Sequence, residues 1–388
     1  MGKWKMATAA AMVATLVFAA GCGGKTETKA DSNDIRIGGN FEMTGGVAQY
    51  GQSTANGVKL AFKEANAAGG VLGKQINFII ADNKSEPAEA ANATTKLISQ
   101  DKVVALVGPS TSGNVLASLP VATEHKIPLL TPTATSPKVT VENGKVKDFA
   151  FRVCFIDPFQ GTIMANFASK DLKAKTAAIY LDSSSDYSKS LAQVFEQYFT
   201  QNGGTIVAKE AFLQKDQDFK SALTKLKAAN PEIVYIPAYY EEVSKIIKQA
   251  RELGLNVPML GSDGWDSPKL VEIAGPAVLA NTFFSNHYSS QDKDPRVAKF
   301  VEAYKKEYGQ EPDAFAVLGY DGGLMMIDAI KRANSTEPVK IKEALAQIKD
   351  LQVVTGTLSM DANHDPIKSA VIIEMKDGKQ AFRTKVNP

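Results

Sequence analysis

Short β-rich runs alternate with longer amphipathic stretches along most of this chain, and that alternation constrains its fold more than any other feature. Predicted strands are Ile35–Asn40, Gln75–Ala81, Val103–Val107, Ala177–Leu181, Thr205–Glu210, Ile233–Ile236 and Met259–Leu260. Between them lie predicted helices at Gly46–Ala67, Pro87–Ser99, Leu191–Thr200, Phe219–Ala229 and Val243–Leu253. The last shows the period clearly, with Val243, Ile246, Ile247, Ala250 and Leu253 on one stripe. Strand–helix alternation implies parallel sheets in open α/β layers. The pattern breaks near Phe149–Pro158, resumes at Thr176 and changes again after Asn281–Tyr288. Two long helical patterns follow, Pro295–Tyr308 and Asp313–Ala333. The chain then ends in strand-like Ser369–Met375 and Gln380–Arg383 around Asp377-Gly378, a hairpin signal. At 388 residues the chain is long enough for two or three domains of about 150 residues. The breaks favour two α/β lobes joined by more than one chain crossing.

The first 22 residues have the layout of an export signal. Lys3 and Lys5 give a basic start, Ala7–Ala20 is uncharged and mostly apolar, and small residues precede Cys22. The apolar stretch is shorter than the roughly 20 residues that span a bilayer. Ala19-Ala20-Gly21-Cys22 resembles a bacterial lipobox, in which the cysteine is acylated and becomes the mature N-terminus. Residues 23–34 are small and polar and read as a tether. The expected product is an exported, lipid-anchored protein, facing the periplasm or the cell exterior. A plain signal peptide with an incidental cysteine is the alternative.

The formal charge is only +2, and Lys3 and Lys5 account for it. A balanced body has no overall field for nucleic acid. Two cysteines are too few for a disulfide framework or a thiolate zinc site. His125, His287 and His364 lie in no metal or catalytic pattern. Ala68–Gln75 mimics a phosphate loop but lacks its first glycine and its hydroxyl residue. No GxSxG elbow is present. Cys154 sits in an apolar run and reads as a buried thiol. No cofactor, metal or catalytic residue is expected.

Open α/β sheets bind ligands beyond the carboxyl ends of their strands. Five loops stand there: Gly108–Asn114, Thr131–Pro137, Asp182–Ser188, Pro237–Glu242 and Gly261–Asp266. In the first, Ser110, Thr111 or Ser112 caps a helix, and free N–H groups at that helix start also suit a carboxylate. In the second, hydroxyls between two prolines are either positioned for a ligand or part of a structural turn. Asp263 pairs with an ammonium group or forms an Asx turn. Tyr50, Tyr187 and Tyr239 are packing residues singly, but together form an apolar wall with polar tips. Hydroxyl donors, an acid and an aromatic wall describe a free amino acid.

The segments Met43–Gln52, Asn56–Lys74, Val107–Asn114, Ile127–Pro137, Phe159–Gly161, Asp182–Ser190, Ile246–Leu255 and Gly261–Pro268 resemble the branched-chain amino-acid-binding proteins of bacterial ABC importers, which have the type I periplasmic binding fold. The resemblance runs from about Ile35 to the C-terminus. It implies an α/β fold of two Rossmann-like lobes with parallel sheets and three hinge crossings, lobe 1 being 35–153 plus 286–361 and lobe 2 being 154–285 plus 362–388. It implies that Ser112 and Thr135 hold a ligand carboxylate, and that the Thr133 carbonyl and Asp263 hold its ammonium. Tyr50, Tyr187, Tyr239 and Phe315 match aromatic pocket positions, Ser110 and Trp265 lie beside them, and Asp321 is a further candidate for the ammonium. Ser110 stands where leucine binders have an apolar residue, and Asp263 where they have Glu. The family's first-lobe disulfide is replaced by Asn83-Lys84-Ser85 and Thr111. The implied function is an extracytoplasmic, non-enzymatic receptor that delivers an amino acid to importer membrane subunits. The alternatives are a same-fold sensor for an amide or aromatic acid and, more remotely, an exported hydrolase.

Overall fold

The computed structural model describes residues 34–388. The export signal and Cys22 lie outside them, as does the tether apart from Asp34. The seven predicted strands of the alternating region all form, with ends shifted by at most two residues.

The first half of the chain runs β1 (Ile35–Phe41), α1 (Ala48–Ala67), β2 (Ile76–Asp82), α2 (Pro87–Ser99), β3 (Ala105–Val107), α3 (Ser112–Glu124) and β4 (Leu129–Thr131). A small ribbon, β5 (Val141–Glu142) and β6 (Lys145–Val146), leads to β7 (Ala150–Arg152). The five main strands form one parallel sheet in the order β2-β1-β3-β4-β7. Buried aliphatic strands such as Ala105-Leu106-Val107 suit a sheet covered by helices on both faces.

The second half runs α4 (Asp157–Asn166), β8 (Thr176–Asp182), α5 (Asp186–Gln201), β9 (Thr205–Phe212), α6 (Lys220–Ala228), β10 (Ile233–Tyr235), α7 (Tyr240–Glu252), β11 (Met259–Gly261), α8 (Pro268–Ala274) and β12 (Thr282–Asn286). Helix α5 starts five residues before the apolar pattern does. Its first turn is polar, and the Ser185 side chain caps it by accepting from the Ser188 N–H. After β12 the chain returns to the first half with α9 (Pro295–Tyr308), α10 (Ala314–Ala333), α11 (Pro338–Ala346) and the hairpin β13 (Leu351–Val353) and β14 (Gly356–Leu358). It ends in β15 (Ala370–Lys376) and β16 (Lys379–Val386), joined by the expected Asp377-Gly378 turn.

The second sheet has the order β16-β15-β12-β11-β10-β8-β9. Strands β12, β11, β10, β8 and β9 are parallel, but β15 and β16 are antiparallel. The parallel body expected of each lobe is thus present, and the second sheet carries antiparallel pairing at one edge as an addition. Two-residue turns join antiparallel strands only, so the hairpin requires it. The chain passes between the two sheets three times: after β7, after β12 and before β15.

Strand order places the crevice. In the first sheet β1 has β2 on one side and β3 on the other; in the second, β8 lies between β9 and β10. Connections diverge at these switch points and leave a gap beyond the carboxyl ends. Helices α1 and α10 pack closely on the first half. A Cβ on Gly57 would lie 1.9 Å from the Ala316 carbonyl oxygen, and one on Gly319 would lie 2.1 Å from that of Thr54. Only glycine permits this approach, and it brings Tyr50 of α1 over Phe315 of α10.

Candidate ligand-binding site

A cavity with about 220 Å³ of atom-free space lies between the two switch points. Tyr50, Ser110, Ser112, Thr133, Thr135, Tyr187, Tyr239, Asp263 and Phe315 all line it, together with Thr111 and Gly264. The first half supplies its hydroxyls, from the loops after β3 and β4. The second half supplies its acid, from the loop after β11.

At the hydroxyl end the start of α3 differs from expectation. No side chain caps it; Thr111 holds the cap position without such a bond. Glu42, at the end of β1, fills this place instead. Its carboxylate accepts from the N–H groups of Ser110 (3.0 Å) and Thr111 (3.1 Å), from the Thr111 hydroxyl (2.9 Å) and from Asn114 Nδ2 (2.8 Å). Those two N–H groups are therefore spoken for, and the helix dipole already faces an anion. Donors toward the cavity come from side chains. Ser112 Oγ accepts from the Ser136 N–H at 3.2 Å, so its own proton is free to point elsewhere. Thr135 Oγ1 is buried and in no well-aligned hydrogen bond. Ser110 and Thr133 spend their protons locally, Ser110 on Thr54 Oγ1 (3.1 Å) and Thr133 on the Ser110 carbonyl (2.7 Å).

The Thr131–Pro137 loop is held from behind by Arg152, which is fully buried. Its guanidinium donates to the carbonyls of Ala134 (2.8 Å) and Ser136 (2.9 Å) and to Thr140 Oγ1 (2.8 Å), and it pairs with Asp365. A planar five-donor group thus fixes a loop that prolines alone would not. Cys154 lies beneath, its thiol donating to the Ala134 carbonyl at 3.3 Å. Burial pushes that thiol up to about 12, so it is inert.

At the acid end Asp263 is 4% exposed. Its Oδ1 accepts from Tyr187 OH (2.6 Å) and Gln160 Nε2 (3.0 Å), and its Oδ2 lies 3.0 Å from His287 Nε2. Burial, reinforced by Asp263, holds the Tyr187 phenol well above its ordinary range, so it stays a donor. Burial also lowers the His287 pKa against the pull of Asp263. His287 stacks on Phe155 with ring centroids 3.6 Å apart, and its Nδ1 has no partner. Neutral His287 donating through Nε2 leaves the Asp263 charge uncancelled and directed at the cavity.

The wall is aromatic. Tyr50 stacks on Phe315 (centroids 4.0 Å apart, planes at 8°), and Tyr187 stacks on Tyr239 (5.0 Å, 19°). Tyr50 also meets Tyr239 edge-on at 5.6 Å, which joins the two stacks. The Tyr50 hydroxyl donates to the Gly264 carbonyl and accepts from the Tyr240 N–H (3.2 Å), so one side chain ties the two halves together.

Two candidates fall elsewhere. Trp265 points away from the cavity: its Nε1 donates to the Ile236 carbonyl at 2.9 Å, and its ring packs over Gly261 toward Phe284. Asp321 lies within α10 with both oxygens bound to the segment after β13, through the Val354 N–H (2.8 Å), the Thr355 N–H (3.1 Å) and the Thr355 hydroxyl (2.6 Å). It therefore has no reach to an ammonium in the cavity. Conversely, sequence reasoning passed over Glu42, Gln160 and His287. An acid directly after a strand and facing a Gly-Pro-Ser loop could have flagged Glu42. Among the described residues no group of three or more His, Cys, Asp or Glu could hold a metal ion.

A family model described as periplasmic binding protein matches residues 34–380. The branched-chain amino acid transporter substrate binding protein LivJ from Streptococcus pneumoniae, solved in complex with isoleucine, is 40% identical; the match covers 92% of this chain and all of that one, with a TM-score of 0.85. The leucine binding protein LivK from Thermotoga maritima is 38% identical, with 91% and 99% covered and a TM-score of 0.86. A leucine-, isoleucine-, valine-, threonine- and alanine-binding protein of Pseudomonas aeruginosa is 28% identical over 92% of this chain and 93% of its own. With the family match spanning nearly all the described residues, and with both switch points facing one cavity, the chain belongs to the periplasmic binding protein family.

Proposed function

We propose that this protein is the extracytoplasmic substrate-binding component of an ABC importer and holds a free amino acid between two closing lobes. One observation carries the reading: the buried hydroxyls of Ser112 and Thr135 line the same cavity as the buried carboxylate of Asp263. A zwitterion satisfies both ends at once, while a simple acid or amine leaves one buried polar end unpaired. The isoleucine complex of the 40%-identical Streptococcus protein and the ligands named for the Pseudomonas relative point to aliphatic side chains against the Tyr50–Phe315 wall.

The lobes are 35–153 plus 286–361 and 154–285 plus 362–388, and the three crossings between the sheets are the hinge. Contacts to both ligand ends exist only when the lobes are together, so ligand shifts the population toward the closed form. Importer membrane subunits then engage that form. Cys22 carries the lipid that keeps the receptor at the membrane. Calorimetric titration with the twenty amino acids tests the reading, with aliphatic residues expected to bind. Binding of benzoate but of no amino acid would replace it with an acid receptor. Mass spectrometry of the mature N-terminus tests the acylation.

A further inference from the structure

Behind the hydroxyl end lies an acid that the binding scheme does not use. Asp157 opens α4, directly before the Phe159–Gly161 segment, and is fully buried. Its N–H donates to the Thr135 carbonyl at 3.0 Å, which fixes the two residues side by side. Its Oδ1 accepts from Gln160 Nε2 at 3.2 Å. The same nitrogen donates to Asp263 at 3.0 Å, so one amide bridges two carboxyl groups. The orientation of that amide is set by its Oε1, which accepts from Ser285 Oγ at 2.9 Å. Asp157 Oδ2 and Thr135 Oγ1 are then left, both buried and neither in a well-aligned hydrogen bond, although the Thr135 hydroxyl lies near enough to the Asp157 carboxylate to favour its charged form.

We propose that Asp157 serves the pocket as an uncharged carboxylic acid whose Oδ2–H is donated to Thr135 Oγ1, leaving the Thr135 hydroxyl proton for the ligand's carboxylate. This rests on the functional reading above and makes Asp157 a positioning residue. The direction of the hydrogen-bond chain decides the matter. A hydroxyl has one proton. If Asp157 is ionised it can only accept, it takes the Thr135 proton, and Thr135 then meets the ligand carboxylate with lone pairs. If Asp157 is protonated, every bond in the chain points toward the ligand.

The surroundings favour the protonated form. Burial is the largest influence on Asp157, the Asp263 charge adds to it, and together they push the group up to about 7 against the lowering effects of Thr135, Gln160 and Arg152. The other titratable groups that face it are the phenols of Tyr187, Tyr235 and Tyr239, all held protonated by burial. Beyond Asp263 stands His287, whose charged form is disfavoured. A ligand carboxylate arriving beside Asp157 stabilises the proton further, so binding near neutrality draws a proton from solvent. The sign for folding is the same. The stabilising contribution of this proton is complete below the ordinary carboxylate range and is lost as pH rises through about 7.

The test is calorimetric titration of the full chain with L-leucine from about pH 6 to about pH 8, in buffers of different ionisation enthalpy. Wild-type affinity should fall about tenfold over that range, as expected for one required proton leaving near pH 7, and binding should take up protons at its upper end. In D157N the amide supplies a pH-independent donor, and the affinity should not fall. T135V should bind more weakly at the acidic end and also show no fall, whereas H287Q should keep the fall. The infrared spectrum of unliganded wild type near pH 6 should carry a protonated-carboxyl band that D157N lacks. A flat wild-type profile, a fall that survives in D157N or disappears in H287Q, or the absence of that band overturns the proposal and leaves the functional reading standing. If no amino acid binds wild type at any pH, the functional reading falls and takes this proposal with it.

Discussion

The two ends of the pocket solve opposite problems with opposite materials. At the hydroxyl end the strong charges are withdrawn from the cavity: Glu42 is capped by four donors and Arg152 is spent on carbonyls and Asp365. What faces the ligand is neutral. At the acid end the charge itself faces the ligand, and three neutral side chains hold it still. The difference reflects what each ligand group needs. A carboxylate is met by several directed donors, which hydroxyls supply without a competing counter-ion. An ammonium needs a compact negative charge, which only an ionised acid supplies. A buried charge is tolerable at one end because the ligand completes its pairing, and at the other because the protein has already done so.

The largest expected effect breaks the hydroxyl end from behind. Glu42→Ala removes the acceptor for two backbone N–H groups, a hydroxyl and an amide in a buried place. It should cost about 3–5 kcal/mol of folding stability, the range for breaking a buried charged network by removing one partner. Chemical denaturation measures this. A loss below 1 kcal/mol would mean that water takes over the role of Glu42. Next is Asp263→Ala, which leaves the ligand ammonium buried and unpaired and should weaken amino-acid binding by about 2–5 kcal/mol. Unchanged affinity would remove Asp263 from recognition and make it a structural acid for Tyr187 and His287.

The contrast between the ends also explains what could be read in advance. Each loop of the pocket follows a strand, and hydroxyls or an acid in such a loop are local features. The loops that hold Ser112, Thr135 and Asp263 are visible for that reason, while the choice of Ser112 and Thr135 among the hydroxyls of those loops comes from the family resemblance. Their supports are not local. Gln160 lies 103 positions from Asp263 and His287 lies 24 away, yet all three meet under the cavity. No periodicity predicts that meeting, because it depends on how α4 and the crossing after β12 dock on the second sheet. Helix α8 is missed because seven residues, under two turns, are too few to show a period. Asp321 misled for the converse reason. An acid in a glycine-rich turn of helix looks poised for a ligand, but its partners are the N–H groups of Val354 and Thr355, which come thirty-odd residues later.

Smaller effects sharpen the comparison. Ser112→Ala removes one donor to the ligand and leaves the Ser136 N–H without its acceptor. A loss of about 1–3 kcal/mol in affinity is expected. It should be smaller than that of Asp263→Ala, because Thr135 still faces the carboxylate. An equal loss would show that the hydroxyl end depends on a single donor.

The smallest effect should come from Tyr50→Phe, and it separates closing the pocket from contacting the ligand. The phenylalanine ring keeps the stack on Phe315 and the edge contacts with Tyr239 and Tyr240. What it loses is the hydroxyl shared between the Gly264 carbonyl and the Tyr240 N–H, both on the opposite half of the molecule. Those bonds exist only with the halves together, so their loss acts on the closed state rather than on ligand contacts. Two neutral hydrogen bonds are worth about 1–3 kcal/mol in total, and part is regained from water at the cavity edge. Affinity should therefore drop by about 1 kcal/mol, and it should drop by the same amount for every amino acid bound. Small-angle scattering of the unliganded variant should be unchanged, and stopped-flow release should quicken. If the loss instead varies with the ligand side chain, the Tyr50 hydroxyl touches the ligand and belongs to the recognition surface rather than to the latch.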